Sequence, residues 1–167
     1  SQVFNAKGDI IWIAENARAV RDADGRVRYY EGTIEDVTER KHAEIAVREA
    51  ERRFRSIWEK SADGMRLTDR NGILRAVNPA YCRIVGMSEG ELIGQCYTVS
   101  YQECEEVHRL HALYRESYQS RTIPEHLDRN VIFRNGRKAM LELSNSFVEN
   151  DGQEPLILSI FHDVTEG

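Results

Sequence analysis

The sequence predicts an α+β protein in which an antiparallel sheet carries its helices as one group in the middle of the chain. Three observations lead there. Residues 58–167 read as two strands, three helices and three further strands. A strand–turn–strand unit occurs twice, and each copy closes on Asp-Val-Thr-Glu, at Asp36 and again at Asp163. Between the copies runs a highly charged segment whose apolar residues recur at helical spacing.

The first copy, residues 1–40, starts with the end of a strand at Val3 and Phe4. A turn at Gly8, an apolar-rich run, a second turn at Gly25 and a strand ending at Asp36-Val37-Thr38 follow. Across residues 41–57, Ala43, Val47, Ala50, Phe54 and Ile57 are spaced four, three, four and three apart, the a/d stripe of a heptad helix. Such a stripe predicts the seam of a parallel dimeric coiled coil. Two alanines make the seam weak, so it needs help from flanking domains.

From Ser56 onward, Met65 to Thr68 and Ile73 to Val77 are strands around an Asp69-Arg70-Asn71-Gly72 turn. Asn78-Pro79 opens a helix, as cap and first helical residue, and Gly86 closes it. Ser88 with Glu91 forms a capping box for a second short helix, ended by Gly94. Glu103 to Ser120 is a longer helix with Val107, Leu110, Leu113 or Tyr114, and Tyr118 on one face. A strand from His126 to Phe133 turns at Arg134-Asn135-Gly136 into the second copy. There Leu141, Leu143 and Phe147 alternate, as do Leu156, Leu158 and Ile160, around a hairpin turn at Asn150-Asp151-Gly152.

Composition narrows the function. At 41% hydrophobic and 31% charged, the chain reads as a folded domain, and its net charge of −5 argues against nucleic acid as a partner. No apolar run approaches the roughly 20 residues that span a bilayer. Cys82, Cys96 and Cys104 are odd in number without Cys-x-x-Cys spacing, which predicts reduced thiols in a cytoplasmic protein. No Ser-His-Asp set, paired-carboxylate site or glycine-rich phosphate loop occurs, so the chain by itself is expected not to be an enzyme.

The strand pair with its Asp-x-Asn-Gly turn, Asn-Pro-Ala-Tyr, Gly-Met-Ser, Glu-Leu-Ile-Gly and the closing Asp-Val-Thr together resemble a PAS domain over residues 56–166. The resemblance implies a five-stranded antiparallel sheet with helices on one face, complete within residues 58–167. It also makes residues 1–40 the closing hairpin of an upstream PAS domain and residues 41–57 the connector helix of a tandem array. By family association it implies a sensory and dimerisation module of a bacterial signalling protein, most often a sensor histidine kinase. Its partners would be a second copy and an output domain of the same polypeptide. A haem- or flavin-type sensor and a module of a cyclic-di-GMP enzyme are the alternatives.

The resemblance also nominates residues. A ligand pocket between sheet and helices would be walled by Leu67, Ile84, Tyr97, Leu110, Tyr114, Leu127, Leu141, Leu143, Leu158 and Ile160. Asn145 and Ser159 are polar candidates to point inward. Asp36 with Thr38, and Asp163 with Thr165, stand where a PAS sheet hands over to an output helix, and both residue types satisfy helix-start N–H groups. Some haem-binding PAS domains use a histidine on the long helix, where this chain has His108 and His111, yet no further ligand completes a metal site. Cys82-Arg83 lies on the first helix, not on the later helix of flavin-reactive relatives, and His42 lacks the context of a phosphoacceptor. No metal or cofactor is predicted, and a small-molecule ligand of unknown identity is left open. The isolated hairpin of residues 1–38, with Ile11, Trp12, Ile13, Val27 and Tyr29, is expected to dock on its own chain's complete domain or on a partner chain.

Overall fold

A computed structural model describes residues 1–165. They form two compact units that divide after Phe54.

In the first unit, β1 (Gln2–Phe4), β2 (Ile10–Arg21) and β3 (Val27–Asp36) make a three-stranded antiparallel sheet in the order β1-β2-β3. Local chemistry sets both turns. The Asn5 side-chain oxygen accepts from the Lys7 and Asp9 N–H groups at 2.9 Å, and Asp22 accepts from Asp24 and Arg26 at 3.0 and 2.9 Å. Among the described residues of this unit, Ile13 is the buried hydrophobic one, while Tyr29, Tyr30 and Ile34 are mostly exposed. Three strands without a second layer cannot do better. Helix α1 (Thr38–Lys60) leaves directly from β3 and buries none of its residues.

In the second unit, β4 (Gly64–Thr68), β5 (Leu74–Val77), β6 (His126–Ile132), β7 (Lys138–Asn150) and β8 (Gln153–Asp163) form an antiparallel sheet ordered β5-β4-β8-β7-β6. The last strand in sequence thus lies at its centre. Between β5 and β6 come α2 (Pro79–Val85), α3 (Glu89–Leu92), a 3₁₀ turn (Tyr97–Ser100) and α4 (Glu105–Ser120). The core joins Leu74, Val77, Tyr81, Val85 and Leu92 to Phe133, Leu141, Leu143 and Phe161 of the sheet.

Asn78 ties the start of this unit together. Its side-chain oxygen accepts from the N–H groups of Tyr81 and Met65, both at 2.8 Å, and its amide donates to the carbonyls of Trp58 and Asp63 at 3.0 Å. One fully buried amide thereby fixes the last turns of α1, the first residue pair of β4 and the N-terminus of α2. Gly72 sits in the β4–β5 turn at φ +76°, where a Cβ would meet the Tyr97 ring at 2.9 Å. Tyr97 N–H donates to the Gly72 carbonyl at 2.9 Å, so glycine there lets Tyr97 close over the sheet.

Candidate functional site

Strand pairing decides which side chains reach the helices. On β4, Gly64, Arg66 and Thr68 point to the helix layer and are buried. Arg66 lies opposite Ser159, and Ser159 opposite Asn145, so a polar row crosses three strands of the inner face. The Ser159 hydroxyl donates to the Asn145 side-chain oxygen at 2.6 Å, and the Asn145 amide donates to the Pro124 carbonyl at 3.0 Å. Sequence alternation left the facing of these two residues open, and the register settles it inward.

A cleft of about 1450 Å³ opens between α4 and this face and continues around the β6 edge onto the outer side, where Lys138 and Met140 join its lining. Tyr97, Leu110, Tyr114, Leu127 and Leu143 line it, together with Arg66, Tyr101, Arg129, Val131, Ile157 and Ser159. Leu67, Leu158 and Ile160 do not. Leu67 pairs with Leu158 and Met65 with Ile160, which places all three on the opposite face of the sheet, half-buried. Leu156-Ile157-Leu158-Ser159-Ile160-Phe161 is nearly all apolar in both registers, so periodicity could not choose, and Ile157, Ser159 and Phe161 turn inward instead. Ile84 and Leu141 belong to the sealed packing of the domain rather than the cleft wall. Ile84 Cδ1 packs where a Gly64 Cβ would come within 3.0 Å, and Leu141 is fully buried in the core cluster.

Arg66 is the residue that sequence reading missed. It is 5% exposed, and its guanidinium lies over the rings of Tyr97 and Phe161, 4.5 and 4.7 Å from their centroids. Its Nη1 donates to the Tyr81 hydroxyl at 3.2 Å, while its Nε–H has no partner among the described residues. Burial disfavours the charge, but the Tyr81 and Tyr101 phenols around it outweigh that penalty and hold the group charged. The one available signal was an arginine between Met65 and Leu67, out of keeping with an apolar strand. Burial also raises the phenol of Tyr114, to about 12, while hydrogen bonds to the Thr68 hydroxyl (2.8 Å) and the Asp69 carbonyl (2.6 Å) fix its position.

His108 is exposed. His111 packs edge-on against Tyr97 with its Nδ1 3.7 Å from Cys96 Sγ, and burial lowers its pKa. Neither lines the cleft. Among the described residues no cluster of His, Cys, Asp and Glu could hold a metal ion, and no helix is long and apolar enough to cross a membrane.

The two Asp-Val-Thr segments build one joint twice. In the first, Asp36 Oδ1 accepts from the Thr38 N–H (3.0 Å) and hydroxyl, and Thr38 Oγ1 accepts from the Trp12 N–H at 3.0 Å. In the second, Asp163 Oδ1 accepts from the Thr165 N–H (3.0 Å) and hydroxyl, and Thr165 Oγ1 accepts from the Met140 N–H at 3.0 Å. In both, the intervening Val37 or Val164 N–H bonds the carbonyl of that same strand residue, at 2.9 and 3.0 Å. At Asp36 the acid therefore satisfies the first N–H of α1, as its residue type implies, but in both copies the threonine does something else: its hydroxyl is the last rung of the strand ladder. Arg137 completes the second joint, reaching Asp163 at 3.2 Å and the Ile84 carbonyl of α2 at 2.5 Å. Hydrogen bonds from Thr38 hold the Asp36 carboxyl below the usual range. At Asp163 burial pushes the other way, yet Thr165 and Arg137 prevail and the carboxyl again titrates low.

The seam residues Ala43, Val47, Ala50, Phe54 and Ile57 lie on the surface of α1, with Val47, Phe54 and Ile57 exposed to 57%, 59% and 62%.

Known proteins share this architecture. The PAS fold family matches residues 52–164. The sensor protein FixL of Bradyrhizobium diazoefficiens is 30% identical over 159 residues, which cover 93% of this chain and 31% of FixL. The chain thus spans about a third of that relative's length. The PAS domain of an HTR-like protein from Haloarcula marismortui superposes with a TM-score of 0.58 at 20% identity, over 74% of this chain and 99% of that one. A domain of a sensory box sensor histidine kinase/response regulator from Geobacter sulfurreducens gives 0.56 at 26% identity, over 68% and 94%. With its central closing strand, its helix layer and the match over residues 52–164, this chain belongs to the PAS family.

Proposed function

We propose that the chain is a sensory and dimerisation module of a larger bacterial two-component protein, a sensor histidine kinase, and that it passes a change in its cleft to a helix following Thr165. The observation that carries this reading is the repeated joint. At Thr38 the same hydrogen bonds that close β3 also start a 23-residue helix. Strand β7 connects the two ends of the relay in the second unit. Its inner residues Ala139 and Leu143 wall the cleft, and the Met140 N–H between them binds Thr165. A ligand that shifts β7 would move the Met140 N–H donor on which the following helix is hung. Kinship to FixL, a sensor protein, and to a domain of a sensor histidine kinase supports the placement. The chemistry then belongs to an output domain of the parent, and this segment binds and transmits in the cytoplasm, as a dimer through α1, without nucleic acid or membrane contact.

The full-length parent tests it. Thr165→Val keeps the shape of the side chain and removes the hydroxyl, and is expected to change autophosphorylation several-fold, while Thr165→Ser restores the wild-type level. Equal rates in all three proteins would overturn the relay, and a parent without phosphotransfer would overturn the kinase assignment.

A further inference from the structure

The β4–β8 ladder ends where Gly64 lies opposite Phe161, and one residue further on a side-chain pair continues it. His162 Nδ1 stands 2.7 Å from Asp63 Oδ1. Asp63 is anchored on its own side. Its N–H donates to the Ser61 hydroxyl at 3.1 Å, and its carbonyl accepts from the Asn78 amide, which also holds the Trp58 carbonyl in the last turns of α1. On the other side, the joint at Asp163 and Thr165 follows His162 directly. The pair therefore links the segment by which the chain enters this sheet from α1 to the strand by which it leaves.

The charges around the imidazole have one sign. Asp63 faces it from the segment before β4, Glu142 from β7, where it lies opposite His162, and Asp163 from the imidazole's own strand. Of these, Asp163 is already met by Arg137. A neutral imidazole has one N–H to give and spends it on Asp63. The imidazolium has two, and a positive charge that draws Glu142 and Asp63 toward the same strand end. The hydrogen bond to Asp63 and that carboxylate's charge raise the imidazole's pKa. The charged contact is thus complete in acid and is lost as pH rises through the folded value. We propose that Asp63 and His162 form a pH-operated clasp that fastens the end of β8, and with it the joint, to the segment leaving α1. Acid closes the clasp, and alkali loosens it. The proton is then a second input to the relay, separate from the cleft, and this meaning rests on the reading of Asp163 and Thr165 as an output joint.

An NMR titration of the purified chain between about pH 5 and pH 8 tests the clasp, because imidazole is the side chain that titrates there. Asp163 titrates low, outside that interval. The His162 ring signals and the Val164 and Thr165 amide signals are expected to shift with one midpoint. Over the same interval both amides should lose exchange protection several-fold, after correction for the intrinsic pH dependence of exchange. His162→Gln keeps a donor that cannot be charged, and should hold both amides at the high-pH level throughout. Asp63→Asn keeps the imidazole and removes its partner's charge, so the His162 midpoint should fall. Should His162→Gln unfold, the Asp63→Asn midpoint and the wild-type amides decide together. Amides that ignore pH in the wild-type chain, or titrate unchanged in His162→Gln, would overturn the clasp, as would a midpoint that Asp63→Asn leaves in place. None of these results touches the Thr165→Val comparison in the parent, which is made at a single pH.

Discussion

At Asp163 a single carboxylate holds three donors: the Thr165 amide, the Thr165 hydroxyl and an Arg137 nitrogen. Because these bonds favour the charged form, its folded pKa lies below its unfolded one. A depressed carboxyl contributes stability at every pH above the unfolded value, near 3.9 for aspartate, and that contribution fades as pH falls through the folded value. Asp163→Asn should therefore melt below wild type at pH 7, and the gap should close between about pH 4 and pH 3. Charge-assisted hydrogen bonds discounted for partial exposure predict a gap of roughly 1 kcal/mol. Melting curves of both proteins across that pH range check it, and a pH-independent gap would assign the loss to packing. His162, one residue earlier, has the opposite sign. Its bond to Asp63 at 2.7 Å raises its pKa, so its contribution is present in acid and lost as pH rises through the folded value.

Among the elements, α1 and β8 show how far a sequence pattern reaches. On α1 the stripe from Ala43 to Ile57 stands on a helix with no buried residue. Phe54→Glu places a charge in the seam and gives up a large apolar side chain, roughly 1.5–3 kcal/mol of burial for each copy in a dimer. Light scattering should show monomer where the parent chain shows dimer, and an unchanged mass would mean that the stripe serves the single chain. The helix was legible because a 3.6-residue period is diluted by Glu and Arg on every other face. For β8 the same method fails. A central strand is apolar on both sides, so Leu158 and Ile157 carry equal weight in the pattern, and only pairing with Leu67 and Thr68 assigns them to opposite faces. Asn78 was readable as a helix cap, yet its bonds to Met65, Trp58 and Asp63 were not, since nothing local connects those positions. Arg66 is the extreme case. The Tyr97 and Phe161 rings and the Tyr81 hydroxyl that meet its guanidinium lie far from it along the chain, so no local pattern announces its burial.

For the molecule as a whole, the first unit is the part whose stability its own residues explain least. Tyr29, Tyr30, Ile34 and Ile10 are more than half exposed on a sheet with one buried hydrophobic residue. We expect this hairpin to find cover on its own chain or a partner's, so that amides from Ile10 to Ile34 exchange as slowly as those from Leu156 to Phe161. Hydrogen exchange on the purified protein reads this directly, and fast exchange throughout β2 and β3 would show a hairpin that hangs free. The repeated joint carries one more consequence, for the recombination of genes. Everything that closes it lies within Asp-Val-Thr, one neighbouring strand residue and, in the second copy, Arg137. A crossover falling just after the threonine delivers the joint whole, to be followed by any helix in the genome. One falling two codons earlier separates the acid from the hydroxyl it orients. Shuffled descendants of such a sensor should therefore share boundaries that fall at this threonine, a reading frame for recombination set by four hydrogen bonds.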